Sequence, residues 1–452
     1  MRSRTPKLLH PLCGRPIIAW PVSAARAAAA GRIVVVDGPE EPLRAAVDGQ
    51  AEIAIQRQPR GTGDAVAAAT AQIDPGAPVL VLMGDVPLIS AATIEGLLRT
   101  HTEQGAAATM ATIVLEHPGS YGRVVRTPDG TVERVAEAKV GGDATELELK
   151  IREVNTGIYV FDGGALLDAL PQLRPDNAQG ELYLTDVLQI MRARERSVIA
   201  FELEDPDETI GINDRRQLAQ ARAVAQRRIM EQHMLAGVTV VVPDATVIDA
   251  DVTIGEDTVI APFTSVLGAT AIGRASTIGP NATLIDARVG DGAKILHSYV
   301  QEATIGDRVS VGPFAYLRPG SELKEGAKAG TFVELKNTVV GAGSKVPHLS
   351  YIGDAEIGEG TNLGASTITA NYDGYRKHRT KIGDRVHTSV DTTLVAPVEL
   401  GDDAHTGAGS VITGDVPAGS LGIARAHQKN IDGYNDRWRA RGESQDGRST
   451  DR

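Results

Sequence analysis

The chain has 452 residues with 42% hydrophobic and 23% charged content, which exceeds one ordinary core and suits two or three globular domains. Its net charge of −12 disfavours bulk binding to nucleic acid or an anionic membrane and leaves only local basic pockets for anionic ligands. Cys13 is the lone cysteine, so no intrachain disulfide forms, and with no run of 18 apolar residues and no signal-peptide core after Met1 the chain reads as a soluble protein of the cytoplasm.

Over the first ~210 residues, apolar β-branched runs alternate with helical patterns. Ile33-Val34-Val35-Val36, Val79-Leu80-Val81-Leu82 and Ile158-Tyr159-Val160-Phe161 read as buried strands. Ala24 to Ala30, Ala91 to Thr102 and Ala165 to Leu170 read as helices. Such alternation indicates an α/β domain with a mostly parallel sheet covered on both faces. Residues 213–236 lack Gly and Pro, and Leu218, Ala221, Ala225 and Ile229 follow helical spacing, so this stretch reads as a linker helix whose arginines form a solvated face.

From Gly237 the period changes. Ile248, Ile254, Ile260, Val266, Ile272, Ile278 and Leu284 fall six apart. After a slip the spacing resumes at Ile305, Val311, Leu317 and Leu323, and again at Val346 and Ile352, Ile357 and Leu363, and Leu394 and Leu400. At about 100° per residue a helix would scatter these side chains over three directions. In a strand, every sixth residue can face one interior, so the repeat predicts stacked six-residue rungs of a parallel β-helix. Gly follows many of these aliphatics, as in Ile254-Gly255, Ile272-Gly273 and Ile357-Gly358, and is expected to permit the tight corner. Thr369 to Arg379 interrupts the repeat and reads as an ejected loop suited to a phosphate-bearing ligand. The polar stretch after Asp432 is expected to be disordered. The predicted organisation is therefore 1–212 α/β domain, 213–236 linker helix, 237–431 β-helix and 432–452 tail.

Several motifs stand in order along the first half: Thr5-Pro6-Lys7-Leu8-Leu9-His10-Pro11-Leu12 with Gly14-Arg15-Pro16, Gly61-Thr62-Gly63, Gly84-Asp85-Val86-Pro87-Leu88, Tyr121-Gly122-Arg123 and Asn155-Thr156-Gly157. Together they resemble the sugar-1-phosphate nucleotidyltransferases. With the β-helix attached, the chain resembles the bifunctional N-acetylglucosamine-1-phosphate uridylyltransferase / glucosamine-1-phosphate N-acetyltransferase family over nearly its whole length. The resemblance implies a Rossmann-like nucleotidyltransferase domain followed by a left-handed parallel β-helix of hexapeptide repeats. It also implies that Asp85 and Asn213 ligate Mg²⁺ and that Lys7 neutralises phosphate charge as the sugar phosphate attacks UTP. Gln56, Gly61 and Thr62 would contact the uridine, and Gly122, Glu137 and Asn155 the N-acetylglucosamine. Physically, Asp85 follows a strand at the edge where α/β sheets bind ligands, and Mg²⁺ commonly rests on one or two carboxylates plus substrate phosphates.

Members of this family open with a strand and a glycine-rich loop, L-A-A-G-x-G-T-R-M, whose backbone N–H groups bind the nucleotide phosphates. Met1 stands where the final methionine of that motif falls. A native chain beginning upstream is the favoured explanation; a truly short chain, with crippled nucleotidyl transfer and strands left unpaired, is the other.

In the second half, Leu317-Arg318-Pro319-Gly320, Phe332-Val333-Glu334-Leu335-Lys336, His348-Leu349-Ser350-Tyr351-Ile352-Gly353-Asp354 and Asn371-Tyr372-Asp373-Gly374 match the acetyltransferase half of the family. Attack of an amine on a thioester needs the neutral amine, and His348 is the candidate general base. The resemblance assigns Arg318 and Lys336 to the sugar phosphate, with Tyr351, Asn362, Asn371 and Lys377 completing that site. It assigns Asn371, Tyr372, Ala408 and Arg425 to acetyl-CoA. Val390 stands where the family usually has serine, unless the register slips to Ser389. A zinc enzyme on the same scaffold needs three converging histidines; His387 and His405 are one coil apart, and no third partner is evident. The implied substrates are glucosamine 1-phosphate, acetyl-CoA, N-acetylglucosamine 1-phosphate and UTP, with a homotrimer whose acetyl sites lie between subunits. An acetyltransferase with a degenerate first domain, and a non-catalytic scaffold, are the two rival readings.

Overall fold

The computed structural model describes every residue except 139–141, 143, 178 and 447–452, with side chains described to residue 442. The chain divides into two compact units, residues 1–235 with 247–252, and residues 236–246 with 253–452.

In the first unit, strand Glu153–Asp162 is the spine of the main sheet. It pairs antiparallel with Ala108–Val114 on one side. On its other side it pairs with Pro78–Val81 near one end and, at Val154, with Arg123–Arg126 near the other. Val198–Glu202 lies parallel to Ala108–Val114, and Val132–Ala136 closes a hairpin with Arg123–Arg126. The expected mostly parallel sheet is thus corrected to a mixed one. Strands 78–81, 108–114 and 198–202 share one direction, but the spine runs against them. Apolar runs report burial and carry no strand direction, which is why the sequence could not tell the two apart.

Both faces are covered, as alternation along the strands requires. Ala108, Met110, Tyr159 and Phe161 pack with Leu166, Val187 and Leu188 of helices Gly163–Ala169 and Asp186–Ala193. Ala111, Ile113, Ile158 and Val160 pack with Ile94 and Leu97 of helix Ala91–Glu103. Ser90 caps that helix by accepting a hydrogen bond from the Thr93 amide. Val34–Asp37 and Glu52–Ile55 form a separate parallel pair. Among the described residues, Pro78–Val81 is bonded on one side only, and its residues are half-buried to exposed rather than buried.

The helix expected at 213–236 spans Arg215–Leu235. Its apolar face is not a free linker surface: Leu218, Ala221, Val224 and Ala225 are buried with Leu12, Ile17, Leu88 and Ile212. Part of its expected solvated arginine face also binds the unit. Arg227 pairs with Asp207 at 2.6 Å and Arg228 with Asp205 at 2.8 Å, while Arg216 stays exposed.

The second unit consists of short strands stacked in parallel into three sheets. Val266, Leu284, Val300, Leu317, Leu335 and Ile352 form one buried ladder, and Ile272, Val289, Ile305, Leu323, Val340 and Ile357 another. The slip in the six-residue spacing is a shortened corner: Leu284 to Val300 takes 16 residues and Leu317 to Leu335 takes 18, yet interior register is preserved.

The glycines after the aliphatics mostly serve a different purpose from the one expected. Gly279 and Gly312 do adopt left-handed φ of 90° and 97°, but Gly255, Gly273, Gly306, Gly353, Gly358 and Gly364 do not. They provide room. A Cβ on Gly273 would overlap Asp291 Oδ1 and lie 2.8 Å from the Asp291 amide nitrogen. That Oδ1 accepts the Arg274 amide at 2.8 Å, stitching one coil to the next. Asp384 does the same for Glu359, and Asp402 for Asp384. The stretch expected to be a disordered tail is corrected at Tyr434–Asp446, which is helical. It lacks Pro and β-branched residues, and Arg437, Arg439, Ala440 and Arg441 are good helix formers, although the side chains through residue 442 remain exposed.

Candidate active sites

In the first unit, Lys7 sits on a 3₁₀ turn, Asp85 in the loop after strand Pro78–Val81, and Asn213 just before helix Arg215–Leu235. The Ile212 amide donates to the Asp85 carbonyl at 2.9 Å and clamps the latter two segments together. Lys7 Nζ then lies 2.6 Å from Asp85 Oδ2 and 3.1 Å from Asn213 Oδ1. Two oxygen acceptors thus converge on one cationic group. A carboxylate and an amide oxygen at one partly exposed point are the donor set Mg²⁺ takes when phosphates and waters complete its octahedron. Burial pushes the Tyr121 phenol above its ordinary value, and the Asp85 carboxylate adds to that rise.

Gln56 Nε2 donates to the Gly61 carbonyl at 3.2 Å and to Asp64 Oδ2 at 2.9 Å. Gly61 has φ 110°, and a Cβ there would lie 2.5 Å from the Leu182 carbonyl oxygen, so this position requires glycine. Thr62 Oγ1 accepts from the Leu184 amide at 3.1 Å. Burial raises the Asp64 carboxyl, but hydrogen bonds from Gln56 and Arg60 outweigh it and leave the group below its ordinary value.

Gly122, Glu137 and Asn155 also come together. The Gly122 carbonyl accepts the Asn155 amide at 2.9 Å. A Cβ on Gly122 would meet Val135 Cγ1 at 2.6 Å and Glu137 Oε1 at 3.6 Å. Burial drives the Tyr159 phenol far up; a hydrogen bond with Asn155 opposes that rise and the Glu137 charge adds to it. Arg123, to which the sequence gives no role, is buried and holds the carbonyls of Tyr121 and Gly119.

In the second unit, Lys336 and two side-chain amides converge on one carboxylate. Asp354 is 5% exposed. Lys336 Nζ lies 3.0 Å from each of its oxygens, Asn337 Nδ2 2.7 Å from Oδ1 and Asn371 Nδ2 2.6 Å from Oδ2. Burial raises this carboxyl, but those three donors outweigh it and hold it below the ordinary range. The Asp354 pair raises Lys336, while Lys336 depresses its neighbour Lys377. Arg318 Nη1 bonds Glu334 Oε1 at 2.9 Å, and Glu334 is in register with Tyr351. Arg318, Lys336, Tyr351, Asn371 and Lys377 therefore form one cationic, hydrogen-bonding cluster. Lys336 is in register with Gly353 one coil on, and Asp354 is the next residue, so stacking adjacent coils was the signal available for finding it.

His348 ends strand Lys345–His348 and is exposed, three residues before Tyr351. The loop expected at Thr369–Arg379 is shorter: Thr369 and Ala370 stay in coil strand Ile368–Ala370, and a small hairpin follows, with Tyr372 bridged to Lys377 and the Tyr372 hydroxyl donating to the Gly374 carbonyl at 2.6 Å. At its base, Asp373 accepts the amides of Tyr375 and Arg376 and pairs with His378 at 2.7 Å, which brings its carboxyl down to about 2. Asn362 is exposed and bridges to Lys345 and His387, outside the Asp354 network. Ala408 lies in the turn after His405–Thr406, and Arg425 follows strand Leu421–Gly422, both in the final coils. Among the described residues, no hydrogen bond or ion pair joins them to the Asp354 network. Val390 is 48% exposed, while Ser389 gives its amide to Thr406 Oγ1 at 2.9 Å.

Residues 1–183 match the family model of the MobA-like NTP transferase domain. Over 444 residues the chain is 48% identical to the bifunctional protein GlmU of Mycolicibacterium vanbaalenii, covering 96% of this chain and 90% of that protein. It is 45% identical to the bifunctional protein GlmU of Mycobacterium tuberculosis (strain CDC 1551 / Oshkosh), covering 96% and 89%. With that of Mycolicibacterium smegmatis the identity is 46% over 448 residues, covering 96% and 92%.

Proposed function

This chain belongs to the family of bifunctional GlmU proteins, and from that premise we propose that it is a transferase making UDP-N-acetylglucosamine in two steps. The second unit acetylates glucosamine 1-phosphate from acetyl-CoA. The first then joins N-acetylglucosamine 1-phosphate to UTP and releases pyrophosphate. Such a product would supply peptidoglycan and lipid A synthesis. The observation that carries this reading is the hydrogen-bonded cluster of Lys336, Asn337 and Asn371 round Asp354, with the exposed His348 three residues before Tyr351.

In the acetyl step, Arg318, Lys336 and Lys377 hold the sugar phosphate, with Tyr351 and Asn371 orienting the ring. His348 accepts a proton from the amine as its nitrogen attacks the thioester carbonyl. The C–S bond breaks, and the proton passes to the departing thiolate. Asn371, Tyr372, Ala408 and Arg425 hold the acetyl-CoA. A general base of this kind contributes about 10²- to 10⁴-fold.

In the uridylyl step, a sugar-phosphate oxygen attacks the α-phosphorus of UTP, and the bond to the β-phosphate oxygen breaks. Lys7 neutralises phosphate charge, Gln56, Gly61 and Thr62 orient the uridine, and Gly122, Glu137 and Asn155 orient the sugar. Asp85 and Asn213 would hold Mg²⁺, whose charge supports the phosphates; transfer of this type rests on positioning and charge stabilisation.

We also read the protein as a cytoplasmic homotrimer. Among the described residues no helix is long and apolar enough to cross a membrane. The exposed rings of Phe314 and Phe332 stack at 5.4 Å with His297 beside Phe314 at 5.7 Å, an outward aromatic row suited to packing against another subunit. Acetyl-CoA-dependent thiol release and Mg²⁺-dependent pyrophosphate release, measured on the wild type and on His348→Ala and Asp85→Asn, test the assignment. Each variant should lose one activity and keep the other; loss of neither would refute it.

A further inference from the structure

His387 and His405 face each other in direct register across a parallel β-bridge between neighbouring coils. Their rings lie nearly parallel, 17° apart in plane, with centroids 5.3 Å from each other. Both side chains are exposed, and among the described residues no hydrogen bond occupies either ring. The Asp403 carboxylate, two residues before His405 and bonded to Arg385 at 2.9 Å, interacts with the His405 ring through its charge. Asn362 precedes His387 in the same ladder.

We propose that this pair of imidazoles is a binding site for a borderline divalent transition cation such as Zn²⁺, Ni²⁺ or Cu²⁺. Neutral imidazole nitrogen is the donor these ions prefer, in the order Ni²⁺ < Cu²⁺ > Zn²⁺, and Mg²⁺ avoids it. Zn–N bonds of about 2.0–2.1 Å in a tetrahedral shell set the two nitrogens roughly 3.3 Å apart. Parallel strands are about 4.8 Å apart, so turning the two exposed rings toward each other closes the difference without moving the backbone. Waters complete the coordination. A catalytic zinc centre takes three protein ligands, so the pair is a cation-binding site and no reaction is assigned to it. Its nitrogen donors also separate it from the all-oxygen pair Asp85 and Asn213.

The test uses the untagged full-length chain. Equilibrium dialysis with Zn²⁺ should give one equivalent per chain that excess Mg²⁺ does not displace. The electron paramagnetic resonance spectrum of added Cu²⁺ should carry coupling to two imidazole nitrogens. Changes in outer partners of metal ligands alone cost about 10- to 100-fold in affinity, so His387→Ala or His405→Ala should weaken binding by at least that much. His348→Ala should leave it intact. Absence of binding, displacement by Mg²⁺, or equal binding in the wild type and both variants would overturn the proposal.

Discussion

Lys336 Nζ lies 3.0 Å from both carboxylate oxygens of Asp354, one coil further along the β-helix, and the carboxylate is almost fully buried. Removing the ammonium strands a charge from which water is excluded. Lys336→Met should therefore cost about 3 kcal/mol of stability, the low end for a broken buried pair because the lysine is partly exposed. Urea unfolding of the second unit's signal reads this directly; a cost under about 1 kcal/mol would mean that the pair is solvated.

The same carboxylate predicts a pH dependence. Its folded pKa is depressed, so below the unfolded value of about 3.9 the unfolded chain binds more protons than the folded one. The stability it contributes is complete above that value and is lost as pH falls through the folded value. Asp354→Asn should therefore lose stability less steeply than the wild type between about pH 5 and pH 2, read from urea midpoints across that range. Parallel curves would contradict the assignment.

Lys7 and Asp85 are bonded at 2.6 Å but both are partly exposed, so their ion pair contributes little to stability, about 0–1 kcal/mol. Asp85→Asn should leave the melting temperature within a few degrees of the wild type. Pyrophosphate release should fall by about 10²-fold or more, the scale of losing one charge-stabilising group in an active site. A large drop in melting temperature with activity per folded molecule unchanged would make Asp85 structural.

At Gly273 the constraint is space rather than backbone freedom. Gly273→Ala pushes a methyl group into Asp291, whose carboxylate joins adjacent coils. Overpacking of this kind costs about 1–3 kcal/mol, and thermal unfolding should report it. Gly343→Ala is a useful contrast: nothing lies within 4 Å of its Cβ, but its φ of 67° strains the backbone instead.

The β-helix was legible because its period is geometric: an aliphatic every sixth residue suits only a three-sided coil. The slip between Leu284 and Ile305 was also visible, but its meaning was not, since corner shortening leaves interior register unchanged. Glycine after many of the aliphatics suggests a tight corner, whereas most of these glycines keep normal φ and make room for the next coil, as Gly273 does for Asp291 and Gly358 for Asp384. Strand direction in the first unit was hidden because an apolar run such as Ile158 to Phe161 is the same in either orientation. The cationic site residues came from motifs. Asp354 stands inside one of those motifs, but its bonds to Lys336, Asn337 and Asn371 become visible only when adjacent coils are stacked. Arg123 went unassigned for a similar reason: its carbonyl partners are local backbone groups, which leave no mark on sequence spacing.

One chain is expected to carry both transfers in sequence. Purified protein supplied with glucosamine 1-phosphate, acetyl-CoA, UTP and Mg²⁺ should be followed by mass spectrometry. The account predicts UDP-N-acetylglucosamine, with coenzyme A and pyrophosphate released in equal amounts at completion. Accumulation of N-acetylglucosamine 1-phosphate with UTP untouched, or failure to release coenzyme A, would contradict it.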